Sequence, residues 1–240
     1  MIPLPGSPLV DSTAHRGDPD ALRERARCDG YLWLRGVVDR PALDALHAVV
    51  IAACTRLGWL SPGSGVEPLA NPARRGVRAN DPEWIQLQVA VLSSPEIVRV
   101  REDPGTARVL RTLLGDDLAG AQGDICRVVF PNADELATPP HQDGAFIGVE
   151  RECWTCWIPL EDCPLDRGPL AVVPGSHRNG LLAHAGEGGA SAPPVAGWAA
   201  SALAAGDALF FHALTLHGAL PNRSAGRLRL SVDLRYRAVR

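Results

Sequence analysis

The chain contains no lysine: all 24 of its positively charged residues are arginine. Much of that reads as genomic base composition, given how much alanine, glycine and proline accompanies it. The chemical consequences hold regardless. A Schiff-base lysine is excluded, and any anion must be held by arginine, backbone or hydroxyl groups. Net charge is only −3, so no broad basic field points to nucleic acid. No apolar run approaches the length of a membrane span. The start, Met1-Ile2-Pro3-Leu4-Pro5, lacks the basic region and apolar run of a secretory signal. Six cysteines are scattered through 240 residues, a chain long enough not to need disulfide staples. The expectation is a cytoplasmic protein with reduced thiols.

Cys153-x-x-Cys156 invites a zinc or redox reading, but the segment Cys153-Trp-Thr-Cys-Trp-Ile-Pro-Leu160 has the composition of a strand. Residues three apart on a strand face opposite ways, which favours buried free thiols.

The first twenty residues, rich in Pro, Gly, Ser and Asp, read as loosely draped. A short strand over 30–34 leads to a helix over about 41–57, with Asp39 placed to cap it, Pro41 near its first turn and Gly58 after its end. Residues 59–82 form a loop long enough to be a lid. A second helical region over 95–114 is interrupted at Asp103-Pro104-Gly105. Beyond residue 118 the pattern changes to short strands separated by turn residues: 123–130, 144–149, 152–160, 170–173, 207–211, 215–218 and 227–237. That spacing predicts a sandwich or barrel in a single 240-residue domain. In it a helical flank and lid (21–118) precede the β core (119–240). In the last strand Leu228, Leu230, Val232, Leu234 and Tyr236 alternate with Arg227, Arg229, Ser231, Asp233 and Arg235. The ordinary reading sends the polar face to water; the alternative has it line a pocket.

His141-Gln142-Asp143 places an imidazole and a carboxylate one residue apart, and His217 follows on a later apolar strand. On extended backbone alternate residues share a face, so His141 and Asp143 can aim at one point while Gln142 turns away. Two histidines and one carboxylate on one face of a metal suit ferrous iron, with the opposite face left open. The tripeptide alone reads first as a histidine at a strand end, bonded to backbone.

Four segments taken in order go further: Thr138-Pro-Pro-His-Gln-Asp143, Thr155-Cys-Trp-Ile-Pro-Leu-Glu-Asp162, Gly168-Pro-Leu-Ala-Val-Val-Pro-Gly-Ser-His-Arg178, and Gly206 to Gly218 with Phe210-Phe-His-Ala-Leu-Thr-Leu-His217 inside it. This succession resembles the phytanoyl-CoA dioxygenase family of iron- and 2-oxoglutarate-dependent oxygenases. The resemblance implies a mainly β fold with flanking helices and a double-stranded β-helix core (a cupin-like jelly roll). It implies Fe(II) held by His141, Asp143 and His217, and 2-oxoglutarate as co-substrate. Arg229, followed by Ser231, matches the arginine that anchors the far carboxylate of 2-oxoglutarate, with Arg227 as runner-up. Trp157 and Thr138 match positions around that co-substrate, although Ala219 stands where the family often has a hydroxyl. His212, His177 and Arg178 are read as structural.

For the substrate, Arg127 inside the apolar run Ile125–Phe130 is the residue to watch. It either pairs with a carboxylate such as Asp124 or Asp233, or holds an anionic group of the substrate. Phe146, Gln88, Trp84 and Gln86 are weaker candidates. With Asp143 present, the family chemistry predicts hydroxylation or another oxidation of a C–H bond by dioxygen, not halogenation. The expected substrate is a small secondary metabolite or an amino or carboxylic acid. The competing readings are a fatty acyl-CoA hydroxylase, a cupin-type enzyme without 2-oxoglutarate, and a catalytically silent ligand-binding jelly roll. Oligomeric state is not legible in the sequence.

Overall fold

The computed structural model describes residues 2, 5–64, 67–136, 139–148, 152–183, 192 and 195–239. In chain order its elements are α1 (Pro19–Asp29), β1 (Tyr31–Leu34), α2 (Arg40–Arg56), α3 (Pro82–Leu92), α4 (Pro95–Arg101) and α5 (Pro104–Leu114). There follow β2 (Leu118–Gly120), β3 (Ile125–Val129), the single turn α6 (Gly144–Ile147), β4 (Cys153–Pro159) and β5 (Leu170–Val172). The last three are β6 (Ala208–His212), β7 (His217–Ala219) and β8 (Arg229–Ala238).

Four of the helices open on one device, an Asp or Ser followed by Pro: Asp18-Pro19, Asp81-Pro82, Ser94-Pro95 and Asp103-Pro104. Proline suits the first turn because its missing N–H would have no partner there, and the preceding side chain caps the turn in all but α3, where Asp81 accepts from Arg78 N–H instead. Asp103 caps twice. One of its oxygens accepts from Thr106 N–H and the other from the backbone of Asp39, itself the cap of α2. This buried carboxylate therefore ties α5 to α2.

All strand pairs are antiparallel. The larger sheet runs β1-β6-β4-β8-β2, with β3 also on β8, and the smaller pairs β5 with β7. The large sheet has two unlike faces. Leu32, Leu34, Cys156, Ile158, Phe210, Leu230, Val232 and Leu234 pack outward against the helices. Tyr31, Trp33, Trp157, Leu209 and Phe211 pack inward against Leu170 and Val172 of the small sheet. The layers are helices, large sheet, small sheet. Within the described residues the barrel does not close.

Three expectations change. Residues 144–149, read as a strand, instead turn helical over Gly144–Ile147, with Gly148 at φ 82° ending the turn; Val149 lies outside the described residues. The N-terminal segment is not loosely draped. Ser7 bridges Ala199 and Asp11 bridges Trp33, Leu9 is buried in the inter-sheet core, and Leu9 N–H donates to Ser201. The loop read over 59–82 is partly a wall: Trp59 and Leu60 are buried, Leu60 bridges Ala70, and α3 begins at its end. The helix over 41–57, the split helical region over 95–114 and the remaining strands fall within a few residues of where the sequence places them.

All six cysteines are free, and Cys153 and Cys156 are both buried. No helix among the described residues is long and apolar enough to cross a membrane.

Candidate active site

The site lies between the two sheets. His141 precedes α6 and His217 opens β7, and the two residues exchange both backbone hydrogen bonds at 3.0 Å. Their rings lie 4.3 Å apart, centroid to centroid. Each ring is oriented from behind: His141 Nδ1 donates to Pro139 O at 2.9 Å and His217 Nδ1 to Thr215 O at 3.0 Å. With Nδ1 carrying the proton, both Nε2 lone pairs are left for a metal. Asp143 Oδ1 lies 3.6 Å from His141 Nε2 and 3.8 Å from His217 Nε2. The ligand atoms of all three fall within 4.8 Å of one another, and all three residues are buried.

The route to this convergence differs from the extended-strand argument. Asp143 sits in the right-handed helical region, φ −57° and ψ −34°, as α6 begins. Gln142 does turn away, donating to the carbonyls of Gly180 and Leu214 and accepting from Leu182 N–H. It pins the triad loop to its neighbours.

Burial, with His141 close by, pushes the His217 imidazole down to about 3, so it is neutral at ordinary pH. Burial also works against an ionised Asp143. Arg235 and the two histidines outweigh it and hold the carboxyl well below its usual range. Two imidazoles with their Nε2 atoms free of protein donors and one carboxylate form the nitrogen–oxygen donor set that Fe(II) takes, and one face is left for other ligands.

Beside the triad runs a cavity walled by His141, His217, Arg229, Arg127, Asp233, Trp84 and the apolar side chains of β3 and the following turn. Arg229 is 1% exposed. One Nη donates to Ser231 Oγ at 2.6 Å, while Nε and the other Nη have no partner among the described residues. The guanidinium lies 5.9 Å from the Trp157 ring, whose Nε1 is likewise buried and unpartnered. Burying three donors without an acceptor is costly, and a ligand carboxylate is the group that satisfies them. These residues therefore fit the far end of 2-oxoglutarate. Arg227, the runner-up, pairs with Glu67 instead. Thr138 lies outside the described residues.

Arg127 takes the ion-pair reading, and it does so in the cavity wall. Its Nε donates to Asp233 Oδ2 at 2.6 Å, and the pair stands in the cavity wall with Asp233 Oδ1 unpartnered among the described residues. Gln88 does not reach the cavity. Its carboxamide donates to Cys126 O and accepts from Cys126 N–H, both at 2.8 Å, completing the bare edge of β3 as another strand would. Phe146 is 55% exposed, stands T-shaped to the His141 ring with centroids 5.6 Å apart, and does not line the cavity.

His212 stays apart from the triad, packed against Trp154 and His177. His177 and Arg178 reach the carbonyls of Arg27 and Cys28 at the end of α1, an architectural tie. There Gly30, at φ 75°, lies so close to the His177 ring that a Cβ would collide with it.

Sequence reasoning missed Arg235 and Thr155, which hold Asp143. The polar face of β8 does not meet water: Arg229, Ser231, Asp233 and Arg235 are all buried. Their shared parity with Arg229 was the available signal.

Residues 26–230 match the phytanoyl-CoA dioxygenase (PhyH) family. The chain belongs to that family. It is an iron- and 2-oxoglutarate-dependent oxygenase, and His141, Asp143 and His217 form a cluster able to hold a metal ion. Among its relatives, the 1-deoxypentalenic acid 11-beta-hydroxylase of Streptomyces arenae is 28% identical over 95% of this chain and 84% of its own. The epimerase SnoN, solved with Fe3+, alpha ketoglutarate and nogalamycin RO, is 25% identical over 92% of this chain and 84% of its own, with a TM-score of 0.61. EvdO2 from Micromonospora carbonacea var. aurantiaca has the same fold, at 23% identity and a TM-score of 0.62, over 90% of this chain and 89% of its own.

Proposed function

We propose that this oxygenase hydroxylates, or otherwise oxidises, an unactivated C–H bond of a small acidic secondary metabolite. One observation carries the reading. His141 and His217 line the same cavity as Arg229, whose Nε and one Nη have no partner among the described residues. His141, Asp143 and His217 hold Fe(II). Arg229, oriented by Ser231 and backed by Trp157, takes the distal carboxylate of 2-oxoglutarate. When bound, iron, 2-oxoglutarate and dioxygen supply an oxidant able to take hydrogen from carbon, with succinate and carbon dioxide as by-products.

What the chain contributes is placement, since such an oxidant attacks whatever lies nearest. Val77, Val128, Phe130, Leu136 and Leu220 give the cavity an apolar wall for a hydrocarbon skeleton. The Arg127–Asp233 pair adds charged groups to the same cavity. A molecule with a compact carbon frame and a polar end, such as a carboxylic acid, matches both. The Streptomyces relative named as hydroxylating 1-deoxypentalenic acid supports an acid of that kind.

The test supplies Fe(II), 2-oxoglutarate and dioxygen with a panel of terpenoid, polycyclic and amino acids beside a fatty acyl-CoA, and follows succinate and product mass. A small acid gaining one oxygen atom is the expected result. Turnover with the acyl-CoA alone would reassign the substrate class, and no Fe(II)-dependent succinate with any of them would sink the reading.

A further inference from the structure

Asp143 is gripped from the side away from the histidines. Arg235 Nη2 donates to Oδ1 at 2.8 Å and Nε to Oδ2 at 3.0 Å, while Thr155 Oγ1 donates to Oδ2 at 2.6 Å. Arg235 and Thr155 are cross-strand partners on β8 and β4, so the sheet itself sets their spacing. Arg235 is in turn fixed through its backbone, its N–H donating to Asp124 Oδ1 and its carbonyl accepting from Ala121 N–H. Asp143, Thr155 and Arg235 are all buried, where charge-assisted bonds are strongest. The two carboxylate oxygens are thereby made unequal. Oδ2 is occupied by two donors pointing away from the histidines, while Oδ1 accepts one bond and faces both Nε2 atoms.

From this geometry we propose that Arg235 is a positioning residue which, with Thr155, keeps Asp143 a one-oxygen ligand and so preserves the open metal positions that the 2-oxoglutarate chelate needs. The inference rests on the assignment of iron to His141, Asp143 and His217. A guanidinium fork fixes the plane of a carboxylate in a way a point charge does not. Without the fork the carboxylate is free to turn and offer both oxygens to the metal, filling a position meant for the co-substrate.

The test titrates 2-oxoglutarate anaerobically into the Fe(II)-loaded protein and follows the visible charge-transfer absorption of the chelate, with no substrate or turnover required. Arg235→Gln weakens Fe(II)-dependent 2-oxoglutarate binding about 10- to 100-fold, the usual effect of losing a partner behind a metal ligand. Arg235→Lys keeps the charge but not the fork, and behaves like the Gln variant; a wild-type-like Lys variant would overturn the proposal in favour of charge alone. A second arm guards against misfolding. Asp143→Ala loses the absorption, and added formate restores it where Arg235 and Thr155 remain to seat the anion. Equal restoration in Asp143→Ala/Arg235→Gln overturns the clamp. A wild-type protein that gives no chelate at all would overturn the iron assignment itself, an outcome separate from either variant result.

Discussion

The peptide groups of His141 and His217 hydrogen-bond to each other in both directions, so the two imidazoles are set side by side by backbone rather than by a metal. The bonds from each Nδ1 to a carbonyl two residues earlier complete the arrangement. The site is pre-formed. Chelation of the metal is therefore expected to leave the far-ultraviolet circular dichroism unchanged. Restoring Fe(II) alone at a hundred times its dissociation constant should raise stability by about 2.7 kcal/mol through mass action. Loss of the folded signal on chelation would show that the metal builds the site.

Arg229 and Arg227 are separable. Arg229→Gln removes charge-assisted bonds to the distal carboxylate and is expected to raise the KM for 2-oxoglutarate about 100-fold, roughly 3 kcal/mol. Arg227→Gln breaks an ion pair with Glu67 and leaves that KM unchanged. A reversed result in the two kinetic titrations would move the anchor to Arg227.

Gln88 is a strand surrogate. Gln88→Ala leaves the N–H and carbonyl of Cys126 without their partner, and a loss of about 2 kcal/mol in urea unfolding is expected. The KM for 2-oxoglutarate should not move. A substrate-binding role would instead leave stability intact and change the kinetics with substrate.

Burial, with His177 nearby, pushes His212 down to about 4, well below the 6.5 of an exposed histidine. The unfolded chain therefore takes up a proton there before the folded one does. Stability from this residue is complete above pH 6.5 and falls as pH drops toward 4, by about 2 kcal/mol at pH 5. Its Nδ1 accepts from Leu214 N–H, an acceptor role that an asparagine oxygen reproduces. Asn at this position should flatten the dependence of thermal melting on pH between 6.5 and 5. An unchanged slope would place the titration elsewhere.

Much of this molecule was legible in the sequence, and the misses have identifiable causes. The triad was legible because His141, Asp143 and His217 sit in the first and last of four ordered segments, and α2 because Asp39, Pro41 and Gly58 mark its ends. Helices α1 and α3 carried the same Asp-Pro opening, but the Pro- and Gly-rich stretches around them read as loop. Gly144–Ile147 has apolar residues that suit a strand; what makes it turn is the helical backbone of Asp143, set by its tertiary grip on Arg235 and Thr155. Gln88 had nothing local to mark it, because its partner lies 38 residues away. The polar face of β8 was ambiguous from alternation alone, since a water-facing strand and a pocket-lining strand carry the same pattern.

Strand β8 spaces Arg229, Ser231, Asp233 and Arg235 along one face at every second position. One extra residue anywhere between 229 and 235 would rotate the downstream members into the helical layer and bring Leu or Val into their places. Length change inside this strand is thus forbidden by pleat alone, while the turn before it, around Ala225-Gly226, can lengthen or shorten without displacing the row. New specificities can be reached by altering the surrounding walls, but the ruler they are measured against cannot be recut.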